Sequence, residues 1–191
     1  MDIILASTSP YRKALLERLQ IPFSCAPPDT EESPLEHEPP GARCIRLALE
    51  KARAVSAQFP EAVVIGSDQV ASLEGHVLHK PGDHASATLQ LRASAGKELE
   101  FSTGLAVLAP SMNLELTHME LFKVHFRMLD DAEIERYLRA DQPYDCAGSF
   151  KAESLGISLF ERMEGRDPSS LIGLPLIALS ALLRKVGIGI P

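Results

Sequence analysis

The sequence predicts an α/β fold with a mixed β-sheet. Stretches with strand-like and helix-like apolar spacing alternate along most of the chain. Two long strand-like stretches, residues 99–109 and 114–128, are joined through residues 110–113 alone, which predicts an antiparallel pair. With 191 residues, the chain is long enough for one substantial domain or for two small lobes that share a cleft. We predict a single domain over residues 1–191.

The N-terminal half begins with a short apolar stretch, residues 3–6, predicted to be a buried strand. Ser9 and Pro10 suit the cap and the first position of a helix over residues 11–20. The next predicted elements are a strand at 23–26, a loop rich in proline and acids at 27–40, a helix at 43–59, a strand at 61–66 and a hairpin around residues 74–75.

The C-terminal half begins with a helix that Asp83 can cap and Gly96 can end. Asp130 and Glu133 have the spacing of a capping box, which predicts a helix over residues 131–139. The remaining predicted elements are the two long strands, a strand near 157–160 and a last helix over 175–186. No internal repeat or long linker interrupts this order.

Charge and hydropathy narrow the class of partner. The formal net charge is −7, whereas proteins that bind a nucleic-acid backbone usually carry a basic surplus, so we expect no nucleic-acid partner. No apolar run approaches the about 20 residues that a membrane-spanning helix needs. Asp2 stands where a signal peptide would carry basic residues. We therefore expect a cytoplasmic protein without membrane contact.

Cysteine and histidine spacing argues against several kinds of site. The three cysteines lie far apart without a CxxC pair, which predicts reduced thiols and no zinc knuckle. The histidines do not form an HExxH pattern. Walker A, GxGxxG and GxSxG motifs are also absent, which argues against P-loop enzymes, Rossmann enzymes and serine hydrolases with a nucleophile elbow.

Residues 7–13, STSPYRK, place hydroxyls and cations at a predicted helix N-terminus. Free backbone N–H groups and the positive end of the helix dipole attract anions there. Ser7, Arg12 and Lys13 add donors that suit a polyphosphate. An ordinary Ser/Pro cap with two solvated basic side chains explains the same residues, so the local pattern leaves both interpretations open.

Asp68 follows the apolar run at residues 62–66. Ligands of open α/β sheets usually bind at the carboxyl ends of the strands. A carboxylate held there by rigid backbone can act as a general base or as a metal ligand. An aspartate that starts a turn through an Asx hydrogen bond accounts for the residue equally well.

Four further charges are scattered along the chain: Glu31, Glu32, Lys51 and Lys80. Mg²⁺ is often held by one or two carboxylates together with substrate phosphates, and lysines offset triphosphate charge. Taken singly, each of these side chains is explained as a solvated surface charge. Local sequence does not distinguish Glu31 from Glu32.

Several segments, in order along the chain, resemble blocks of the Maf/YceF family. The opening LASTSPYRKALLERL resembles the LAS-x-SPRR-x-x-LL start of Maf proteins. The other matching segments are IGSDQV, HKPGD, FSTGLAVL, CAGSFKAESLG and IGLPLIAL. Together they extend from Ile4 to about Arg184, nearly the whole chain.

The resemblance implies a Maf/Ham1-like (ITPase-like) α/β fold, in which helices flank an elongated mixed sheet and two lobes enclose a central cleft. It also implies hydrolysis of a nucleoside triphosphate to monophosphate and pyrophosphate with a divalent metal cation, Mg²⁺ or Mn²⁺. A homodimeric assembly is implied as well.

Matched by position, Asp68 corresponds to the proton acceptor of the family. The resemblance further implies a phosphate- and metal-binding set of Ser7, Arg12, Lys13, Glu32, Lys51 and Lys80. Among these, Lys51 and Lys80 take catalytic roles beside Asp68, while Glu32 and Asp68 hold the metal.

The sequence most resembles the YceF branch of the family, whose implied substrate is 7-methyl-GTP. Gln69 gives SDQ where the branch acting on dTTP and UTP typically reads ADT, and Glu153 stands where that branch typically has Gln. Tyr11 replaces an Arg frequent in that branch, although YceF proteins commonly carry Trp there. These three residues are the predicted specificity set.

We hypothesise that Asp68 activates water for in-line attack on the α-phosphorus. Two alternatives remain from the sequence. One is the same hydrolysis on dTTP or UTP, and the other is a non-catalytic regulator of cell division or septum formation.

Overall fold

The computed structural model describes all residues, Met1–Pro191. The strands are β1 (Ile3–Ala6), β2 (Ser24–Ala26), β3 (Val63–Leu73), β4 (His76–Leu78), β5 (Glu98–Ala109), β6 (Leu114–Phe126) and β7 (Phe160–Glu164). The α-helices are α1 (Pro10–Glu17), α2 (Pro40–Ser56), α3 (His84–Ser94), α4 (Asp131–Asp141), α5 (Pro168–Ile172) and α6 (Leu176–Lys185). Short 3₁₀ helices cover Pro110–Met112 and Leu155–Leu159.

The strands form one seven-stranded sheet in the order β2-β1-β3-β5-β6-β7, with β4 paired to β3. β1 pairs in parallel with β2 and with β3, whereas β4 and β7 pair antiparallel with β3 and β6. The predicted α/β class with a mixed sheet is therefore confirmed.

Contacts within the chain divide it into two compact units. The first unit comprises Met1–Gln69, Ser102–Glu120 and Asp167–Pro191, and the second comprises Val70–Phe101 and Leu121–Arg166. Three of the boundaries fall inside β3, β5 and β6, so no linker in the sequence marks them. The single domain over residues 1–191 stays a prediction.

The first unit packs helices on both faces of its strands. Odd-numbered positions such as Ile3 and Ile65 join a buried cluster with residues of α1 and α6. Even-numbered positions such as Ile4 and Val64 pack against Ala48 and other residues of α2. This period of two follows from the pleat of a strand, which points successive side chains to opposite faces.

Two glycines allow α2 to lie directly on the sheet. A Cβ added at Gly66 on β3 would collide with the carbonyl oxygen of Ala48, and one at Gly104 on β5 would collide with that of Cys44. Any larger residue at either position would force the helix away from the strands. The glycines therefore set how closely the side chains of α2 approach β3.

The second unit has an aromatic centre made of Phe101, Phe126, Phe150 and Phe160. Their rings meet edge to face, with centroids 4.8–5.6 Å apart.

The predicted hairpin is confirmed, because Glu74 and Gly75 both have positive φ (50° and 82°), as a two-residue turn between β3 and β4 requires.

Predictions based on local capping are confirmed. Ser9 accepts a hydrogen bond from the backbone N–H of Arg12 at the start of α1, and Asp83 caps α3. Asp130 and Glu133 form the predicted capping box of α4. No helix is long and apolar enough to span a bilayer.

Several element boundaries differ from the prediction, and one helix was not predicted. β3 does not stop at Gly66 but continues to Leu73, so Asp68 lies within a strand and the Asx-turn interpretation is wrong. α2 begins at Pro40 rather than residue 43, because proline at the first helical position loses no hydrogen bond. Residues 157–159 are in a 3₁₀ helix, with β7 starting at Phe160, and the short α5 was missed.

Candidate active site

A buried ion pair joins α2 to the middle of β3. The Lys51 Nζ atom lies 2.6 Å from Asp68 Oδ1, and the two residues are only 6% and 7% exposed. Both side chains lie on the face of the sheet against which α2 packs, where Gly66 and Gly104 allow close contact. Because removing two charges from water is costly, such a pair persists only where the surrounding backbone holds both groups in place.

The same ammonium is shared with a second carboxylate from the acidic loop that precedes α2. Lys51 Nζ lies 2.7 Å from Glu32 Oε1, and the Glu32 side chain is 56% exposed. Glu31 instead accepts a hydrogen bond from the neighbouring Ser33 hydroxyl. Of the two adjacent glutamates, only Glu32 pairs with Lys51.

An arginine from α2 fixes this loop. Arg46 donates from Nε and Nη2 to the two carboxylate oxygens of Glu38, at 2.6 and 2.7 Å. Its Nη2 also donates to the Ser33 carbonyl, and Arg43 donates to the carbonyl of Glu32 itself. A bidentate Arg–carboxylate pair is geometrically specific, so the backbone around Glu32 has a fixed position relative to α2. Sequence reasoning did not identify Arg46 or Glu38.

The N-terminus of α1 supplies hydroxyls and a cation. Ser7 is buried and its Oγ accepts the backbone N–H of Ser9. Arg12 is partly buried and donates from Nε to the carbonyl oxygen of Gly173 at 2.9 Å. Burial lowers the pKa of Arg12, while the charges of Asp68 and Glu32 act in the opposite direction. Arg12 therefore shares the electrostatic environment of the Lys51–Asp68 ion pair.

The first-unit cluster is therefore Arg12, Glu32, Lys51 and Asp68, which combines two cations and two carboxylates. The last residues that pair between β1 and β3 are Leu5 and Ile65. Asp68 therefore lies on β3 beyond the part that pairs with β1. Local sequence patterns predicted these residues separately and the family resemblance predicted them as one set. The structure places all four in the first unit.

Two other predicted residues of α1 have different surroundings. Lys13 is exposed and pairs at 4.0 Å with Glu17, one helical turn away. Tyr11 is half-buried. An exposed i,i+4 pair contributes little to stability, so Lys13 can exchange Glu17 for another anion at small cost.

Gln69 faces away from the Lys51 pair, because successive strand residues point to opposite faces of the sheet. Its Nε2 donates to the Thr103 hydroxyl and to the carbonyls of Ser170 and Leu171 in α5, at 2.8–3.1 Å. The amide nitrogen of this predicted specificity residue is therefore occupied within the protein.

Lys80 and Glu153 belong to the second unit, and both side chains are exposed. Their segments are connected through Gln90, whose Nε2 donates to the His79 carbonyl and whose Oε1 accepts from Ser149. Gln90 thus holds the loop before Lys80 and the loop that leads to Glu153. Their roles in catalysis and specificity stay predictions.

The buried thiol of Cys44 is poorly suited to catalysis. Burial raises the pKa of the Cys44 thiol to about 12, and the charge of Asp68 adds to this effect. The thiol is therefore protonated at neutral pH and is a weak nucleophile. No group of three or more His, Cys, Asp and Glu residues is arranged to hold a metal ion. Glu32 and Asp68 converge on one buried cation, the Lys51 ammonium.

Comparison with known proteins gives consistent results. The family model described as Maf-like protein matches residues 2–186. A protein of Colwellia psychrerythraea named 7-methyl-GTP pyrophosphatase is 50% identical over 188 residues, which cover 98% of this chain and 94% of that protein. The structure of a HAM1 protein from Coxiella burnetii aligns with a TM-score of 0.52 at 16% identity, over 97% of this chain and 99% of that one. This last likeness confirms the predicted Ham1-like fold.

Proposed function

The chain belongs to the family of Maf-like proteins, and from this premise we propose that it is a nucleotide pyrophosphatase that hydrolyses 7-methyl-GTP to 7-methyl-GMP and pyrophosphate. The substrate follows from the relative in Colwellia psychrerythraea, which bears the name of that activity and is half identical over almost the whole chain.

One observation about the site carries the proposal. Lys51 is buried between Asp68 and Glu32, and Arg12 lies within the electrostatic influence of both carboxylates. A polyphosphate needs cations that offset its charge, and its hydrolysis needs a base that activates water. The cluster contains both kinds of group, and its Arg12 lies in the first turn of α1, at the end of a helix that itself favours anions.

A divalent cation fits these residues. Glu32 and Asp68 already share one cation, the Lys51 ammonium, at 2.7 and 2.6 Å. Mg²⁺ and Mn²⁺ favour oxygen ligands, and Mg²⁺ often takes one or two carboxylates and completes its shell with phosphate oxygens and water. We propose that Glu32 and Asp68 hold the ion. When bound, it would polarise the phosphoryl oxygens and offset their charge.

Asp68 is the proposed general base, which accepts the proton of the water that attacks the α-phosphorus. Lys51 holds this carboxylate in place, because its ammonium donates a hydrogen bond to Asp68 Oδ1 at 2.6 Å. Arg12, Lys13, Lys51 and Lys80 are proposed to offset the negative charge that develops on the leaving pyrophosphate. Ser7 adds a hydroxyl donor at the same helix start.

Tyr11 and Glu153 are proposed to set the preference for the base, and Gln69 to influence it indirectly, through the carbonyls of α5 that its amide binds. Methylation at N7 makes guanine cationic, so an aromatic face such as that of Tyr11 gains about 0.5–2 kcal/mol of cation–π attraction. A carboxylate such as Glu153 can accept hydrogen bonds from the guanine N1–H and amino group and complements the positive ring.

The test is pyrophosphate release with Mg²⁺ or Mn²⁺ from 7-methyl-GTP, GTP, dTTP, UTP and CTP. We expect the highest kcat/KM for 7-methyl-GTP. Preference for dTTP or UTP would keep the enzyme class and overturn the specificity. Absence of turnover on all of them would overturn the enzyme assignment and favour the non-catalytic regulator of cell division.

A further inference from the structure

The turn that contains α5 is held by polar contacts on several sides. The carbonyl of Ser170 accepts from the Thr103 hydroxyl at 2.9 Å and from Gln69 Nε2 at 2.8 Å. Asp167 is 2% exposed and caps two helices, because its carboxylate accepts from the backbone N–H groups of Ser169 and Ile177. A five-residue helix has little stability of its own, so these bonds determine where it lies.

This fixed turn ends at Gly173, which contacts the proposed phosphate-binding arginine. The Gly173 carbonyl accepts from Arg12 Nε at 2.9 Å and from the Ser67 hydroxyl at 2.9 Å. A guanidinium has five N–H donors in a rigid plane. With Nε–H bound to a backbone carbonyl, the orientation of that plane is set while the four N–H groups on the two terminal nitrogens are left for an anion.

We propose that Gly173 is a positioning residue for the reaction: its carbonyl, held by the α5 turn, aims the Arg12 guanidinium at the triphosphate. The inference rests on the proposed function of Arg12. It also gives Gln69 and Thr103 an indirect role, since both hold the turn that carries this carbonyl.

The backbone conformation favours glycine at this position. Its φ is +121°, which residues with a Cβ rarely adopt. A Cβ there would lie 3.4 Å from Arg12 Nε, an ordinary van der Waals contact, so backbone strain and not a collision disfavours other residues. We therefore expect Gly173→Ala to strain the peptide that carries the carbonyl and to shift this carbonyl relative to the guanidinium.

The chain offers a matched control at Gly187, after α6. Its φ of +83° is also in the left-handed region, but a Cβ there would meet nothing within 4 Å. Gly187→Ala therefore imposes backbone strain without touching Arg12. Comparison of the two variants separates strain in general from the displacement of one carbonyl.

The kinetic test measures kcat and KM for 7-methyl-GTP in both variants. We expect Gly173→Ala to lower kcat/KM about 10- to 100-fold, because a small misplacement of a catalytic group is enough for such a loss. Gly187→Ala should change kcat/KM less than about twofold. In an Arg12→Lys background, Gly173→Ala should add less than about threefold, because the group that it positions is gone.

A direct readout is the hydrogen exchange of the Arg12 Nε–H group, followed by ¹⁵N NMR and assigned by its loss in Arg12→Lys. Exchange should be slow in the wild type and in Gly187→Ala, and markedly faster in Gly173→Ala. This signal does not need turnover. A wild type that hydrolyses no nucleotide but shows this exchange pattern would overturn the proposed function and support the positioning of Arg12.

Thr103→Val provides a second variant if Gly173→Ala does not fold. It is nearly isosteric and removes the hydroxyl that donates to the Ser170 carbonyl and accepts from Gln69, while leaving Arg12 and Gly173 intact. We expect kcat/KM to fall about threefold to tenfold, because the turn loses the hydrogen bond from Thr103 to Ser170, with faster Arg12 Nε–H exchange. Unchanged exchange in both variants, or an equal loss of kcat/KM in the Arg12→Lys background, would overturn the proposal.

Discussion

Lys51 and Lys80 carry the same charge and were predicted for the same reaction, yet their surroundings are opposite. Lys51 is 6% exposed and is shared by two carboxylates. Lys80 is exposed in the second unit, on the loop that follows β4. One lysine is part of a preorganised cluster, whereas the other has a solvated side chain.

The difference comes from what holds each lysine. α2 lies against the sheet because Gly66 and Gly104 have no side chain, so the position of Lys51 is fixed by backbone packing. Lys80 is placed only by its loop, through bonds such as that from Gln90 to the carbonyl of His79. Within the proposed site, the Lys51 cluster is therefore the part that is fixed without substrate.

The largest effect is expected when the carboxylate of this cluster is neutralised. Asp68→Asn keeps the shape of the side chain but cannot accept a proton, so turnover should fall about 10²- to 10⁴-fold. Nucleotide binding should be largely preserved. The assay is pyrophosphate release together with calorimetric nucleotide titration, and retained turnover would eliminate Asp68 as the base.

Removal of the buried lysine should affect both activity and stability. In Lys51→Met, Asp68 remains buried without its ammonium, and breaking such a pair costs about 3 kcal/mol. We also expect kcat to fall about 100-fold. Urea unfolding measures the stability change. A variant as stable as the wild type would contradict the view that Lys51 and Asp68 depend on each other.

Gly66→Ala tests whether close packing of α2 positions Lys51. The added methyl group would collide with the Ala48 carbonyl, so the helix must shift, at a cost of about 1–3 kcal/mol. Activity should fall in the folded fraction as well. Gly189→Ala is the matched control, because, like Gly66, it has no positive φ, and a Cβ there meets nothing within 4 Å. Equal activity in the two variants would contradict the claim that close packing of α2 against the sheet is needed for catalysis.

Lys80→Met is the counterpart of the buried substitution. The side chain is exposed, so the free energy of unfolding should change by less than about 0.5 kcal/mol. We expect kcat/KM to fall only about tenfold, because water and salt screen an exposed charge. A loss of stability comparable to that of Lys51→Met would remove the contrast between the two lysines.

The smallest effect concerns the loop that carries Glu32. The hydrogen bond from Arg46 lowers the pKa of Glu38, although burial opposes it. This contribution to stability is complete above the unfolded pKa of about 4.3 and is lost as the pH falls through the lowered folded pKa.

Glu38→Gln should therefore be about 0.5–1 kcal/mol less stable than the wild type near neutral pH. The gap should shrink below about pH 4. Urea unfolding near neutral pH and below about pH 4 measures this difference in the free energy of unfolding. A difference that grows in acid would contradict the claim that the ionised form of Glu38 stabilises the fold.

The sequence predicted what depends on near neighbours. Ser9, Asp83 and the pair Asp130 and Glu133 cap their helices as expected, because a cap involves residues only two or three positions apart. The mixed sheet followed from the alternation of strands and helices and from the short link between β5 and β6.

Local sequence patterns did not predict features that depend on contacts between residues far apart in the chain. The end of the apolar run at residue 66 predicts that Asp68 follows a strand, but Lys51 on α2 supplies the charge that allows an aspartate inside β3. Nothing in the sequence around Glu31 and Glu32 shows which one pairs with Lys51. Gly173 was visible as a glycine before the last helix, but its contact with Arg12 spans most of the chain.

The most direct test of the central claim is hydrolysis of 7-methyl-GTP in H₂¹⁸O, with mass analysis of both products. If the water activated at Asp68 attacks the α-phosphorus, the label must appear in 7-methyl-GMP and be absent from pyrophosphate. Label in pyrophosphate, or release of labelled inorganic phosphate, would mean that another phosphorus is attacked and would contradict the account.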